Sequence, residues 1–301
     1  MSYILVTGSE GLIGKQICLA LEKAGRNVQR FDIKFPKNHK DYGNILDANC
    51  LQIRIKDCIG IVHLAAISRV VWGERNPTLC WQTNVVGTKN ILHAAQGSML
   101  KPWIVYASSR EIYGQQQKLP VEIDAKYSPM NIYACSKVAA EKEVLQARLY
   151  QLRTAIVRYS SVYGSIYDHD DRVIPAFCRA AIAGNALRVD GISNTLDFTH
   201  VSDTVKGTLA IIKKLEDGGN DLPPLHLTTG IPTTLGVLAQ LACEVAGRKL
   251  DRIEAPNHLY DVARFWGSTT KTTAILRWRA EVPLASGISN LIQHFKLLAK
   301  G

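Results

Sequence analysis

Near the start of the 301-residue chain lies the stretch Thr7-Gly8-Ser9-Glu10-Gly11-Leu12-Ile13-Gly14, which determines the predicted architecture. It follows the apolar segment Tyr3-Ile4-Leu5-Val6, which is typical of a strand, and it precedes a helical pattern over residues 13–24. Glycines between a strand and a helix permit a tight turn, let the backbone approach a pyrophosphate and let the helix pack on the strand. The first N–H groups of the helix are then free to bind phosphates. We therefore predict a dinucleotide site here rather than an ordinary glycine-rich turn.

The second predicted strand, residues 28–33, contains Asp32 near its end, at the spacing expected for a residue that contacts the adenosine ribose. A carboxylate there accepts hydrogen bonds from the ribose and repels a 2′-phosphate, which favours NAD over NADP. The flanking cations Arg30 and Lys34 weaken this preference. The alternative is an aspartate that only closes a turn.

Tyr133 and Lys137 are four residues apart, so that on a helix they share one face. A free tyrosine has a pKa of about 10, and a nearby lysine or a positively charged nicotinamide favours the phenolate. The phenolate can take a hydroxyl proton while hydride leaves for NAD. This spacing also occurs by chance in surface pairs, but together with the glycine turn it indicates redox chemistry at a carbinol carbon.

Apolar runs and helical patterns alternate along the chain. The predicted strands are residues 4–7, 28–33, 60–64, 103–107, 154–158 and 225–228, and the predicted helices are residues 13–24, 77–96, 132–150, 174–183 and 234–246. This alternation predicts an α/β fold, a Rossmann-type doubly wound parallel sheet with a smaller C-terminal substrate-binding lobe. We predict an NAD-binding domain over residues 1–163, to which 196–229 return, and a lobe formed by 164–195 and 230–301.

The composition is that of a soluble globular enzyme, with 47% hydrophobic and 21% charged residues. The net charge of +10 raises nucleic-acid binding as an alternative, but Lys and Arg are spread thinly, which favours an enzyme attracting an anionic substrate. The seven cysteines form no C-x-x-C pair, so we expect reduced thiols, no metal site and a cytoplasmic location. We expect neither a signal peptide nor a membrane span.

Together these residues resemble the extended short-chain dehydrogenase/reductase family, in its nucleotide-sugar epimerase/dehydratase branch. Further stretches are similar to segments of that family: His63-Leu64-Ala65-Ala66, Asn84-Val85-Val86-Gly87-Thr88, Ser108-Ser109-Arg110-Glu111-Ile112-Tyr113-Gly114, Arg158-Tyr159-Ser160-Ser161-Val162-Tyr163-Gly164, Arg172-Val173-Ile174-Pro175, Asp197-Phe198-Thr199-His200-Val201 and Ile275-Leu276-Arg277-Trp278. The resemblance covers nearly the whole chain. It implies bound NAD, and a homodimer formed through the predicted helices 77–96 and 132–150.

The resemblance also implies the roles of individual residues. The implied cofactor contacts are Gly8, Gly11, Leu12, Ile13, Gly14, Asp32, Ile33, Asn44, Ile45, Leu64, Ala65, Ala66, Asn84, Tyr133, Lys137 and Tyr159. Ser109 is implied as a third catalytic residue, which binds the substrate oxygen beside Tyr133, unless it is only a polar residue of a serine-rich turn. The candidate substrate contacts are Arg110, Ser161, Arg172, Arg188 and Arg264.

Glu111 is the most discriminating position. Sugar dehydratases and UDP-glucuronate decarboxylases resemble this chain in having Glu there, and a carboxylate could act as an acid or base at C5 of the sugar. Dehydratases usually have Asp at the preceding position, where this chain has Arg110, which could instead meet an anionic group on the sugar. The alternative is that Arg110 and Glu111 pair with each other or with solvent. The family usually has substrate-binding arginines where this chain has Leu196 and Asn257-His258, and often Asn at Ser161.

We therefore predict an NAD-dependent nucleotide-sugar 4-epimerase that acts through a transient 4-keto sugar. A UDP-glucuronate decarboxylase, a sugar dehydratase and a ketoreductase remain as alternatives on the same fold. A non-catalytic NAD-binding scaffold is an alternative of another class, and the presence of Tyr133 and Lys137 weighs against it. An RNA-binding scaffold is suggested only by the net charge.

Overall fold

The structure, a computed structural model, describes residues 2–258 and 260–298. Its strands are β1 (Tyr3–Thr7), β2 (Val28–Phe31), β3 (Cys58–His63), β4 (Trp103–Ser109), β5 (Thr154–Tyr159), β6 (Ser161–Tyr163), β7 (Leu187–Asp190), β8 (Thr195–Leu196), β9 (Phe198–His200), β10 (Leu225–Leu227), β11 (Thr233–Thr234) and β12 (Arg252–Ala255). Its helices are α1 (Leu12–Lys23), α2 (Ala48–Ile55), α3 (Val70–Arg75), α4 (Pro77–Trp81), α5 (Gly87–Gly97), α6 (Ile132–Gln146), α7 (Val173–Ala183), α8 (Val201–Glu216), α9 (Leu235–Ala246), α10 (Thr270–Leu276) and α11 (Leu284–Leu298).

Six parallel strands form the central sheet, in the order β10-β5-β4-β3-β1-β2. The chain moves outward from β1 to β2 and then returns to β3 on the other side of β1. Such a reversal opens a crevice at the carboxyl ends of the two central strands. Gly8 follows β1 and Leu64 follows β3, so both residues border this crevice.

Helices cover both faces of the sheet, as expected for buried parallel strands. On one face, Ile17 of α1 and Ile211 of α8 are fully buried against the strands. On the other face, Leu51 of α2, Ile91 of α5 and Val144 of α6 are equally buried. Each such side chain contributes about 2 kcal/mol through the apolar surface it removes from water. This architecture confirms the predicted α/β, Rossmann-type doubly wound sheet.

A second core lies among α7, α9 and α11, with Phe177, Leu238 and Ile292 at its centre. Beside it β7 pairs with β12 in parallel, and β8 pairs with β11 in antiparallel fashion. The segment 196–229 includes β10, which extends the central sheet, and α8, which packs on α1. The division into two domains stays a prediction. Within the described residues, no helix is long and apolar enough to cross a membrane.

Two long helices differ in detail from the prediction. The helix predicted over residues 77–96 is α4 and α5 joined by a π-helical turn, Gln82–Val86. The helix predicted over 132–150 ends as an α-helix at Gln146 and continues as a 3-10 turn, Ala147–Tyr150. Helices α2, α3, α8, α10 and α11 were not predicted from the sequence pattern.

Candidate active site

A cavity of about 830 Å³ lies at the carboxyl ends of the central strands, between the sheet and the second core. Of the predicted cofactor contacts it is lined by Gly8, Gly11, Leu12, Ile13, Gly14, Asp32, Ile33, Asn44, Ile45, Leu64, Ala65, Ala66, Tyr133, Lys137 and Tyr159. Of the other predicted residues it is lined by Ser109, Arg110, Glu111, Ser161 and Arg172. The volume is within the range typical of small-molecule sites.

Each glycine of the turn has its own steric reason. Gly8 has a φ of +70°, and a Cβ there would lie 2.7 Å from the backbone nitrogen of Ala65. A Cβ at Gly14 would lie 2.1 Å from the carbonyl oxygen of Gly8. Gly11 is the N-cap of α1 and provides no side-chain cap, so the first N–H groups of the helix have no side-chain acceptor there. The turn therefore fits a pyrophosphate, which would accept from these groups.

Asp32 is held in place by two backbone N–H groups. Its Oδ2 accepts from Glu10 N and its Oδ1 accepts from Lys34 N, both at 2.9 Å. Each oxygen keeps a lone pair for a ribose hydroxyl. Arg30 does not line the cavity and pairs with Glu22 at 3.0 Å and with Glu10 at 3.7 Å, whereas Lys34 lines the cavity and donates its Nζ to the Glu10 carbonyl at 3.3 Å. The geometry fits NAD.

Three predicted residues lie outside the cavity. Asn84 is buried, and its amide bonds to both the N–H and the carbonyl of Ile67, at 2.8 and 3.0 Å, and to Ser136 Oγ at 2.9 Å. It therefore joins Ile67, which lines the cavity, to helix α6. Arg188 pairs with Asp190, and its side chain is 69% exposed. The Arg264 guanidinium lies 5.9 Å from the centre of the Trp266 ring.

Ser109, Tyr133 and Lys137 come together from two elements. Ser109 ends β4, whereas Tyr133 and Lys137 lie on the first turns of α6, whose N-cap Asn131 accepts from Ala134 N at 2.8 Å. Lys137 Nζ donates to the Ala107 carbonyl at 2.8 Å and lies 5.9 Å from the centre of the Tyr133 ring. A phenol, a hydroxyl and an ammonium group thus share one wall of the cavity.

The environment changes how these groups titrate. Burial raises the pKa of Tyr133 to about 12, and the negative charge of Glu111 adds to this rise. The Ser109 hydroxyl and Arg172 have the opposite effect, because they stabilise the phenolate. Burial lowers the pKa of Lys137 to about 8. Tyr133 therefore needs additional positive charge to become a base near neutral pH. The nicotinamide ring of NAD would bring such a charge to this wall.

Arg110 and Glu111 form an ion pair in the 3-10 turn Arg110–Tyr113, with 2.8 Å between Nη2 and Oε1. Asn131 Nδ2 donates to the other oxygen of Glu111 at 3.4 Å. The pairing that the sequence left open is therefore present. Asp261 lines the cavity nearby, and its pKa is raised, first by burial and also by the negative charge of Glu111.

The mouth of the cavity holds contacts that the sequence did not indicate. Arg69 forms an ion pair with Asp171, and the rings of Trp72 and His169 meet edge to face at 4.6 Å. These contacts join the segment after β3 to the segment before α7. No motif marks them, because about a hundred residues separate the partners in sequence.

Residues 4–222 match the model of the NAD dependent epimerase/dehydratase family. The chain belongs to this family. Membership of the NAD dependent epimerase/dehydratase family confirms the predicted enzyme class and the predicted NAD cofactor.

Several members of this family resemble the chain over its full length. The UDP-glucuronate 4-epimerase of Thermodesulfobacterium geofontis is 27% identical over 98% of this chain and 97% of its own. A putative UDP-glucose 4-epimerase of Methanocaldococcus jannaschii is 28% identical over 97% of this chain and 98% of its own. The solved structure of the Thermotoga maritima UDP-glucose 4-epimerase with UDP-glucose superposes with a TM-score of 0.89 at 24% identity, covering 99% of this chain and all of that one. The last likeness shows a shared fold.

Proposed function

We propose that the protein is an NAD-dependent nucleotide-sugar 4-epimerase. The observation that carries the proposal is the meeting of Ser109, Tyr133 and Lys137 on the wall of a cavity that also contains the glycine turn. The names of the full-length relatives support the same reaction on UDP-sugars.

The side chains would act on the C4 hydroxyl of the sugar. Bound NAD would supply the hydride acceptor and the positive charge beside Tyr133. The phenolate of Tyr133 takes the proton from the C4 hydroxyl, while Ser109 donates a hydrogen bond to the same oxygen. Lys137 stabilises the phenolate by its charge. Once the 4-keto sugar has rotated in the cavity and its opposite face has received the hydride back, Tyr133 returns the proton to the C4 oxygen of the inverted product.

The Arg110–Glu111 pair favours epimerisation over decarboxylation or dehydration. A base at C5 needs a carboxylate oxygen that is free to approach the sugar. In Glu111, Arg110 occupies one oxygen and Asn131 contacts the other. Glu111 therefore holds Arg110 in place in this proposal.

The substrate is, in our proposal, a UDP-sugar bound next to the segment between β5 and α7. Ser161 and Arg172 line the cavity there, and Arg172 keeps its side chain 32% exposed while pairing with Asp168 at 3.3 Å. An arginine in that position can bind a diphosphate. Arg188 and Arg264 would contact the nucleotide only after a rearrangement.

We also propose a cytoplasmic homodimer. Helix α4, the π turn, the end of α6 and the 3-10 turn after it expose the apolar side chains Trp81, Val86, Leu145 and Leu149, the last of these 82% exposed. Burying such side chains between two copies would stabilise a dimer. All seven cysteines are unpaired, which fits a reducing compartment. The NAD-binding domain would be residues 1–163 with 196–229, and the substrate lobe 164–195 with 230–301.

Product analysis by NMR tests the reaction. The purified protein with NAD is incubated separately with UDP-glucose, UDP-galactose and UDP-glucuronate, with Tyr133→Phe as the control. Inversion at C4 with retention of C6 is the expected result. Release of the C6 carboxylate as CO2, giving a pentose, would establish the decarboxylase instead, and a 4-keto-6-deoxy product would establish the dehydratase.

A further inference from the structure

A buried polar cluster lies directly behind the catalytic wall. It consists of Arg158, Glu141, Tyr113, Tyr127 and His226, and is called the Arg158 cluster below. Arg158 and Glu141 are each 1% exposed, and Tyr113 and His226 are fully buried. None of the five lines the cavity, so the proposed chemistry gives them no role.

Every N–H of the Arg158 guanidinium has an acceptor. Nε and Nη2 donate to the two oxygens of Glu141 at 3.0 and 2.7 Å, and Nη2 also donates to Tyr127. Nη1 donates to the hydroxyl of Tyr113 at 2.5 Å and to the carbonyl of Ile123 at 2.6 Å. A guanidinium has five N–H donors in a fixed plane, so this set of bonds defines the positions of all its partners.

Two further bonds extend the cluster. The Tyr127 hydroxyl donates to Glu141 at 3.0 Å, and the Tyr113 hydroxyl lies 2.8 Å from His226 Nε2 on β10. On the other side of its ring His226 contacts the carbonyl of Ser268 at 3.1 Å. The cluster therefore reaches from α6 to the last strand of the sheet.

The partners belong to the elements that carry the catalytic groups. Glu141 lies four residues after Lys137 and eight after Tyr133, on the same face of α6. Tyr113 closes the 3-10 turn that begins directly after Ser109. Along the chain the two elements are separated by residues 114–131, a connection that contains no helix or strand. The relative position of the two elements is therefore set by contacts between them, which include the packing of Val138 on the cluster of Ile112 and Tyr113 and the side-chain bonds of the Arg158 cluster.

We propose that the Arg158 cluster is a positioning device, which locks helix α6 against the Arg110–Tyr113 turn so that Ser109 stays beside Tyr133. Stability alone is a weak reason for such a cluster, because well-packed apolar residues often replace a buried ion pair without loss of stability. Directional hydrogen bonds add a fixed orientation to the packing of the neighbouring apolar cluster, and a displacement of about 1 Å can slow catalysis on the order of a hundredfold.

The substitution Tyr113→Phe, which removes only the hydroxyl oxygen, tests the proposal. It removes the hydrogen bonds of the hydroxyl to Arg158, to His226 and to the Ile123 carbonyl, while Arg158 keeps Glu141, Tyr127 and Ile123. The matched control is Tyr3→Phe, whose hydroxyl donates to the carbonyl of Arg54 at 2.7 Å, away from the cavity. We expect Tyr113→Phe to lower kcat about tenfold, with KM and the Kd of NAD within about twofold of wild type. The control should leave all three unchanged.

A readout without turnover accompanies the kinetics. In the NAD-bound protein, amide exchange in residues 107–114 and 131–137 should quicken together, about tenfold, in Tyr113→Phe and not in Tyr3→Phe. The kinetic arm rests on the proposed function, whereas the exchange arm does not. If the wild-type protein turns over no nucleotide sugar, the proposed function fails. The amide-exchange experiment alone then tests the positioning role. A lower melting temperature with unchanged kcat, or faster exchange throughout the chain, would overturn the positioning role.

Discussion

The ammonium group of Lys137 lies 5.9 Å from the centre of the Tyr133 ring, and both side chains are almost completely buried. A lysine cation near a phenol favours the phenolate form of that phenol. We therefore expect the protonation states of Tyr133 and Lys137 to change when a cofactor brings positive charge to the same wall of the cavity.

Tyr133→Phe should abolish epimerisation and leave cofactor binding intact. The phenol is the proposed proton carrier, and loss of a general acid or base lowers turnover by about 10²- to 10⁴-fold. Turnover is measured by NMR product formation and NAD binding by calorimetry. Retention of more than about a tenth of the wild-type rate would contradict the assignment of Tyr133.

Lys137→Met should lose activity and gain stability. Burial lowers the pKa of Lys137 to about 8 in the folded protein, so the cation destabilises the native state below pH 8. The folded protein regains this free energy as pH rises from about 8 towards the pKa of an unfolded lysine, about 10.4. After allowance for the hydrogen bond lost by Ala107, the gain at neutral pH is about 2 kcal/mol.

Urea unfolding at pH 6.5 and pH 9.5 measures this effect. The stabilisation by Lys137→Met should be larger at the lower pH. An equal effect at both values would show that Lys137 is not destabilised by burial.

Gly8→Ala should impair both folding and cofactor binding, unlike a glycine with a similar backbone in open space. Gly8 and Gly25 have φ values of +70° and +73°, but no heavy atom lies within 4 Å of a Cβ at Gly25. Gly25→Ala should therefore show only backbone strain, about 1 kcal/mol. Gly8→Ala adds a clash with Ala65 and should weaken NAD binding more than about tenfold. Equal Kd values for NAD in the two variants would exclude the close approach as the cause.

Glu111→Gln should leave epimerase turnover within about threefold of wild type, since an amide can still contact Arg110 and Asn131. If Glu111 were the base at C5, the same substitution would lower turnover by on the order of a hundredfold or more. The comparison uses the product assay with UDP-glucuronate as well as UDP-glucose. A large loss with UDP-glucuronate alone would support decarboxylase chemistry.

The sequence predicted the parts of the molecule that depend on short-range patterns. The glycine turn, the sheet strands and the Tyr133–Lys137 spacing each lie within one or two adjacent elements, so local rules suffice. Helix α8 was missed because it follows β9 directly and has His200 as its N-cap, a residue that is not a usual start signal. The role of Asn84 was also missed, because its partner Ile67 is defined only by the tertiary fold.

The sequence does not show which single charged residue meets a ligand, as three arginines illustrate: Arg110, Arg188 and Arg264. From the sequence all three are candidate substrate contacts, Arg110 for an anionic group on the sugar and the other two for the phosphates or the nucleotide. In the structure Arg110 is paired beside the catalytic wall, whereas Arg188 is exposed on β7 and Arg264 lies against Trp266. Which arginine meets a ligand depends on how β7, β8 and β12 pair, and short strands with few residues give weak register signals.

The π-helical turn Gln82–Val86 accommodates one residue more than an α-helical path of the same length would. With this additional residue, Asn84 reaches Ile67 and Ser136 at the same time. A single-residue deletion in the turn would convert it to a regular α-helix and remove the bulge in which Asn84 lies. Among related sequences, the number of residues between Pro77 and Gly87 is therefore a length marker, which identifies those that keep the loop after β3 anchored to the catalytic helix.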